Sequence, residues 1–131
     1  MLTDASVVAF AATTDLERAH VFYADVLGLR RVDASPFANV YNAGGTSLRV
    51  TRVDRVAAAP YTVLGWTVPD MDAATEQLAA RGIAFEHITG VEQDEAGVLT
   101  APGGARIAWF RDPDRNLLSL TEPAPAAAGA N

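Results

Sequence analysis

The segment Asp112–Glu122, with the sequence DPDRNLLSLTE, predicts the β-hairpin around which the rest of the chain can be ordered. Its first five residues form a turn signal, because proline presets φ and Asp and Asn side chains hydrogen-bond nearby backbone groups. Short apolar stretches at Ala105–Phe110 and Leu117–Thr121 flank this turn and suit strands. Alternation along the second strand predicts that Leu118 and Ser119 point to opposite faces.

Composition predicts one soluble domain without a nucleic-acid or membrane partner. The chain has 131 residues, half of them hydrophobic, and a formal net charge of −6, which argues against binding to nucleic acid or to an anionic membrane. It has no cysteine, which excludes disulfides, zinc–thiolate sites and thiol nucleophiles. No apolar run approaches the roughly 20 residues of a membrane span, and no secretory signal is visible, so a cytoplasmic protein is expected.

The chain repeats one pattern of a strand, a helix and further strands. Amphipathic helices are predicted over Leu16–Leu27 and Met71–Arg81. Each follows an aspartate, at positions 15 and 70, so the two starts lie 55 residues apart. Gly28 and Gly82 end the helices at a spacing of 54. Self-similarity of this kind indicates two copies of one supersecondary unit.

The predicted strands complete two βαβββ modules and an α+β fold. Besides the closing hairpin, strands are predicted over Val7–Ala12, Leu29–Asp33, Phe37–Asn42, Thr46–Val53, Tyr61–Val68, Ile83–Ile88 and, briefly, Val98–Thr100. A single domain over 1–122 then comprises a module at about 5–54, a linker at 55–60 and a second module at about 61–122, followed by a flexible tail at 123–131. Each helix covers one face of its sheet, so the other faces are expected to curve around a cavity.

Four stretches of the chain resemble the glyoxalase / bleomycin-resistance / dioxygenase, or vicinal oxygen chelate, superfamily. They are Asp15–Ala19, Phe22–Leu29, Val68–Ala74 and Phe110–Leu118, and the likeness extends from Val7 to Glu122. These motifs belong to the scaffold, so they imply the fold of paired βαβββ modules more than any one reaction. The resemblance also implies a small-molecule partner and a homodimer in which two subunits share a groove.

In its catalytic members this family holds a metal on His, Gln or Glu side chains from the first and last strand of each repeat. By position, the resemblance places these ligands here at Val8, Arg49, Val63 and Ser119. Valine has no lone pair to donate, arginine is a permanent cation, and one serine hydroxyl is a poor ligand for a divalent ion. We therefore expect neither a metal nor another cofactor at this site.

No other catalytic constellation stands out. Neither His20 nor His87 is spaced for joint metal coordination, and both are interpreted as structural. Ser119 has no base that the sequence places beside it, which argues against a nucleophile. Asp112 and Asp114 are paired carboxylates, but stabilisation of the turn explains them better.

The cavity faces are predicted to form a mostly apolar small-molecule site with few polar anchors. The candidate ligand-binding residues are Phe10, Tyr41, Ser47, Arg49, Val63, Trp109, Phe110 and Ser119. Arg49 is either an anchor for a carboxylate of the ligand or a solvated or paired arginine at the cavity mouth. Alternation sends one of Trp109 and Phe110 inward, without deciding which.

Three functions remain open from the sequence. The first is a metal-free protein that binds a small aromatic or carboxylate-bearing molecule, similar to the drug-sequestering bleomycin-resistance proteins. The second is an enzyme of the family, a glyoxalase-like lyase or isomerase or a ring-cleaving dioxygenase, with displaced metal ligands or none. The third is a regulatory dimer without a ligand. The absent metal donors favour the first and argue against catalysis.

Overall fold

The computed structural model describes residues 1–125 and contains two modules of the same connectivity. The first module consists of β1 (Val8–Thr13), α1 (Leu16–His20) with a π-helical continuation (Val21–Val26), β2 (Arg30–Ala34), β3 (Ala38–Ala43) and β4 (Thr46–Arg52). The second consists of β5 (Leu64–Thr67), α2 (Met71–Ala80), β6 (Leu99–Thr100), β7 (Arg106–Arg111) and β8 (Leu117–Glu122). The predicted α+β fold of two βαβββ modules is therefore confirmed.

The two sheets have the same topology. Their strand orders are β1-β4-β3-β2 and β5-β8-β7-β6, and in each the first strand of the module pairs parallel with the last. The edge strands β1 and β5 contact each other, and the buried apolar residues of both modules form one continuous cluster. No helix within residues 1–125 is long and apolar enough to cross a membrane.

Both helices begin at the predicted aspartates, in nearly the same geometry. Asp15 has φ −147° and ψ 103°, and its side chain accepts from the N–H groups of Glu17 and Arg18. Asp70 has φ −143° and ψ 103° and accepts from the N–H of Ala73. These carboxylates satisfy backbone donors that have no partner within the helix.

Two predicted elements differ from the structure. The first helix is α-helical only to His20, and Val21–Val26 is π-helical. The predicted strand Ile83–Ile88 is absent from the sheets, although the N–H of Glu86 donates to the carbonyl of Trp109 on β7 at 2.7 Å. The side chain of Gln93 takes two other backbone groups of this segment. The amide of Gln93 accepts from Ile88 N–H at 2.7 Å and donates to the carbonyl of Glu86 at 2.9 Å. The short β6 forms the sheet edge instead.

The modules are joined through the hairpin turn between β7 and β8. Asp112 is buried, and its Oδ2 accepts from the hydroxyl of Tyr23 at 2.7 Å. Burial raises the pKa of Tyr23, and the Asp112 carboxylate raises it further, so this phenol stays protonated and donates. Of the predicted tail, residues 123–125 are exposed, and 126–131 lie outside the described residues.

Candidate functional site

The open face of the first sheet, opposite its buried face, forms one half of the candidate site. Val8 and Phe10 of β1 are 45% and 60% exposed, whereas Leu48 of β4 points into the core. The register pairs Val8 with Ser47 and Phe10 with Arg49. Directly opposite residues of neighbouring strands share a face, so these four predicted site residues lie together on the open side.

Arg49 lies in the middle of this face. It is flanked by Phe10 on β1 and Val40 on β3. Arg49 is partly buried, yet it takes part in none of the ion pairs within residues 1–125. Taking an unpaired charge out of water is unfavourable, and a guanidinium matches the planar geometry of a carboxylate. The first sheet therefore presents a cation that is available to an anionic group.

The open face of the second sheet carries a hydroxyl beside an aromatic ring. Gly65, Ser119 and Trp109 form one row across β5, β8 and β7. A Cβ at Gly65 would lie 2.7 Å from the Oγ of Ser119, so only glycine leaves space for that hydroxyl. Ser119 is almost buried and Trp109 is partly exposed. Of the two aromatic candidates on β7, Trp109 is thus the one that faces the open side.

A cleft of about 410 Å³ lies between the two modules beside these open faces, and Arg49, Ser119 and Trp109 are not among the residues that line it. Phe10 and Val63 line it from the two modules, together with Thr51 and Asn116. The Oγ1 of Thr51 is buried and has no hydrogen-bond partner within the described chain. Thr51 lies two residues after Arg49 on β4 and therefore on the same face, but only its three-dimensional neighbours reveal the unpaired hydroxyl. This group is a polar anchor that the candidate residues did not include.

The prediction that Tyr41 and Phe110 line the ligand site is wrong, because both residues lie in the core. Tyr41 is opposite Leu48, and Phe110 is opposite Leu118, so both point to the buried face of their sheet. Burial raises the pKa of Tyr41, and its hydroxyl lies 2.9 Å from the Nδ1 of His20. The predicted structural interpretation of His20 agrees with this contact. The ligand role of the other candidates stays a prediction.

The residues present do not fit the family's metal. Val8, Arg49, Val63 and Ser119 offer one hydroxyl and one cation between them, and stable divalent sites need three or more oxygen, nitrogen or sulfur donors. Within residues 1–125, no group of three or more His, Cys, Asp or Glu side chains is placed to hold a metal ion. No reaction step is therefore assigned to a metal at this site.

Comparisons with solved structures support the fold across nearly the whole chain. A glyoxalase/bleomycin resistance protein/dioxygenase from Alicyclobacillus acidocaldarius has 22% sequence identity and a TM-score of 0.69, covering 97% of this chain and 96% of that one. A lactoylglutathione lyase from Agrobacterium tumefaciens has 21% identity and a TM-score of 0.73, with 95% and 97% covered. The fosfomycin resistance protein FosX from Listeria monocytogenes has 18% identity and a TM-score of 0.70, with 92% and 91% covered.

At these identities the structural likeness shows the fold alone. The sequence matches none of the curated proteins with which it was compared. The family model described as the Glyoxalase/Bleomycin resistance protein/Dioxygenase superfamily matches residues 6–120. With βαβββ modules in the structure and this match over most of its length, the chain belongs to the glyoxalase/bleomycin resistance protein/dioxygenase superfamily.

Proposed function

We propose that this protein is a metal-free, homodimeric small-molecule-binding protein, comparable to the drug-sequestering members of its superfamily. The proposal rests on the four positions that the resemblance assigns to the metal ligands of the catalytic members, which here hold two valines, an arginine and a serine. The scaffold around these positions is intact, so the loss of donors affects the chemistry and not the fold. Among the structural relatives, FosX is a fosfomycin resistance protein, and resistance by this chain is part of the proposal only.

The proposed ligand is a small aromatic or carboxylate-bearing molecule. The guanidinium of Arg49, which makes no ion pair within residues 1–125, supplies a partner for a carboxylate. Phe10 on the first sheet and Trp109 on the second supply aromatic surface, while Ser119 and Thr51 supply hydroxyls. An apolar concave surface with a few polar anchors is the usual composition of a small-molecule site.

The proposed homodimer follows from exposed apolar side chains on the open faces. Val8, Phe10 and Val63 are 45%, 60% and 41% exposed in the single chain, and Phe10 and Val63 both line the cleft between the modules. Covering such side chains contributes about 25 cal/mol per Å² of apolar area removed from water. A second copy placed over these faces would bury them and close the ligand groove.

Tryptophan fluorescence tests the binding proposal, because the chain has two tryptophans in different surroundings. Trp109 faces the open side, whereas Trp66 is opposite Leu120 and packs against the core. In the variant W66F, aromatic carboxylates from an antibiotic panel are expected to quench the remaining tryptophan, and W109F should abolish most of the signal. Adding R49Q to W66F should weaken the binding of carboxylates about tenfold. A panel that leaves the fluorescence of W66F unchanged would contradict the proposal.

Elemental analysis of the purified protein tests the metal-free state separately. We expect well below one Zn, Ni, Mn or Fe per chain, and a stoichiometric metal would favour the enzyme alternative instead. The variant V8H/R49E/V63H/S119E restores the donor types at the four positions. It should acquire divalent metal that the parent lacks, whereas a variant that folds and stays free of metal would refute the positional assignment.

A further inference from the structure

A second cleft, of about 340 Å³, lies between the π-helical segment, the connection after α2 and the turn before β8. Three arginines line it, Arg81, Arg111 and Arg115, and its lining carboxylates are Glu86 and Asp112. The chain has ten basic residues and a net charge of −6, so nearly a third of its cations converge on one cleft. The lining therefore carries an excess of cations although the chain as a whole is acidic.

Hydrogen bonds hold the guanidinium groups of Arg81 and Arg111, whereas Arg115 makes a longer ion pair, and all three keep free N–H donors. Arg111 Nε lies 3.0 Å from Oε1 of Glu86, and Arg115 Nη2 lies 3.9 Å from the same oxygen. Arg81 Nη1 donates to the carbonyl of Val26 at 2.9 Å. One carboxylate is therefore shared by two cations, while the third is anchored on a backbone oxygen. Arginine presents five donors in a fixed plane, and these contacts use only some of them.

The backbone conformation of Arg115 supports a functional role for this cleft independently of its charges. Its φ is +71°, and it is the one non-glycine residue of positive φ within residues 1–125. Glycine adopts this conformation without a steric penalty, whereas strain of this kind in other residues is often retained at functional sites. The side chain of Arg115 is 67% exposed and lines the cleft. A glycine here would relieve the strain and remove the guanidinium.

The lining defines the chemistry of the ligand. Phe22, Val26, Ile83, Ala84 and Pro113 form apolar walls. Three arginines against two carboxylates leave a formal local charge of +1, which matches a monoanion, and the planar donors match a carboxylate. We propose that this cleft is a separate binding site for a small monocarboxylic acid with an apolar body.

An NMR titration of the ¹⁵N-labelled full chain with benzoate tests this site, with benzamide as the neutral control of the same shape. Benzoate should shift the amide signals of residues 82–86 and 111–116, and benzamide should bind at least about tenfold more weakly. Equal binding of the two compounds, or benzoate shifts confined to other residues, would overturn the proposal.

Three substitutions are expected to change the benzoate Kd differently: one raises it, one lowers it and one leaves it nearly unchanged. Arg115→Gly keeps the backbone geometry and should raise Kd about tenfold. Glu86→Gln keeps a hydrogen-bond acceptor for Arg111 but removes the competing charge, so it should lower Kd. Arg55→Ala, which removes the same charge from the exposed linker, should change Kd less than about twofold. Equal effects of the first and third variants, or weaker binding in the second, would refute the site.

The open-face site is tested independently. Arg49→Gln should leave the benzoate shifts at residues 82–86 and 111–116 unchanged, because Arg49 lies on the first sheet and does not line this cleft. Loss of those shifts in this variant would mean that benzoate reports the open face, and the second site would be refuted.

Discussion

The turns that join the last two strands of each module occupy equivalent places in the repeat, but they make different contacts. In the first module the turn between β3 and β4 is local. The Oδ1 of Asn42 accepts from the N–H of Gly45 at 2.8 Å, and both residues are exposed. Such a contact closes a turn and stabilises nothing beyond it.

The turn between β7 and β8 reaches into the other module. Asp112 accepts from the hydroxyl of Tyr23, and the side-chain amide of Asn116 donates to the carbonyl of Ala12 at 2.8 Å. Asp114 binds the end of β1 and the start of α1. The turn between β7 and β8 is thus a joint between the two modules, whereas the turn between β3 and β4 makes a local contact.

Removing the buried carboxylate of that joint should have the largest effect on stability. Asp112 Oδ1 also accepts from the N–H groups of Asp114 and Asn116, so Asp112→Ala leaves these donors and the Tyr23 hydroxyl without their acceptor. We expect a loss of about 3–5 kcal/mol in the free energy of unfolding. Asn42→Ala, which removes the exposed side-chain contact in the turn of the first module, should cost less than about 1 kcal/mol. Urea unfolding of both variants measures the difference, and similar losses would contradict the assignment of a joint.

The two helices differ by one residue, and the π-helical segment accounts for it. Thirteen positions separate Asp15 from Gly28, and twelve separate Asp70 from Gly82. In the first helix the N–H of Leu27 donates to the carbonyl of Phe22, five residues earlier, at 2.9 Å. A π-helical turn accommodates an added residue without changing the helix ends. The offsets of 55 and 54 in the repeat thus have a structural cause.

Single-residue deletions test this account of the helices. Deleting the exposed Asp25 from the π-helical segment should convert it to α-helix and change stability by no more than about 1 kcal/mol. Deleting the exposed Glu76 from α2 should rotate the following residues by about 100° and remove Leu78 from the core, at a cost of about 2–3 kcal/mol. Thermal unfolding followed by circular dichroism compares the two deletions. If the first deletion is as damaging as the second, the segment does not hold an extra residue.

The sequence predicted those features that depend on local chemistry. The capping aspartates, the module repeat and the face occupied by Ser119 follow from side-chain types and alternation, and the structure contains them. Tyr41 was misplaced because nearness of strands does not define a face, which the pairing with Leu48 does. The strand predicted at Ile83–Ile88 is wrong: the nearby side-chain amide of Gln93 binds the N–H of Ile88 and the carbonyl of Glu86, and alternation does not reveal such a side-chain contact.

Features that depend on partners distant in sequence could not be read from the pattern. The unpaired hydroxyl of Thr51 and the convergence of Arg81, Arg111 and Arg115 require the packing of separate segments. Asp112 was correctly interpreted as a residue of the turn, but its bond to Tyr23 spans 89 positions. The turn motif predicts the carboxylate of Asp112 but does not identify the residue that donates a hydrogen bond to it.

The smallest expected effect concerns Asp114, at the other end of the same joint. Burial raises the pKa of its carboxyl, but hydrogen bonds from the Thr13 hydroxyl and from the N–H and hydroxyl of Thr14 outweigh this, and with the charge of Arg18 they hold the pKa below its ordinary value. Because the folded-state pKa is the lower one, the unfolded state binds more protons in acid. The contribution of Asp114 is therefore present above about pH 4 and is lost as the pH falls through the folded-state pKa.

Asp114→Asn should accordingly lower the free energy of unfolding by about 1 kcal/mol at pH 7, and the difference from the parent should shrink as the pH falls below about 4. Urea unfolding at several pH values measures it, with Asp54→Asn in the exposed linker region as the matched control. Asp54 makes no ion pair with another residue of 1–125, so its substitution should leave the pH profile unchanged. If the difference between Asp114→Asn and the parent does not shrink in acid, the charge of Asp114 is not what stabilises this end of the joint. The shape of the side chain would then account for the difference.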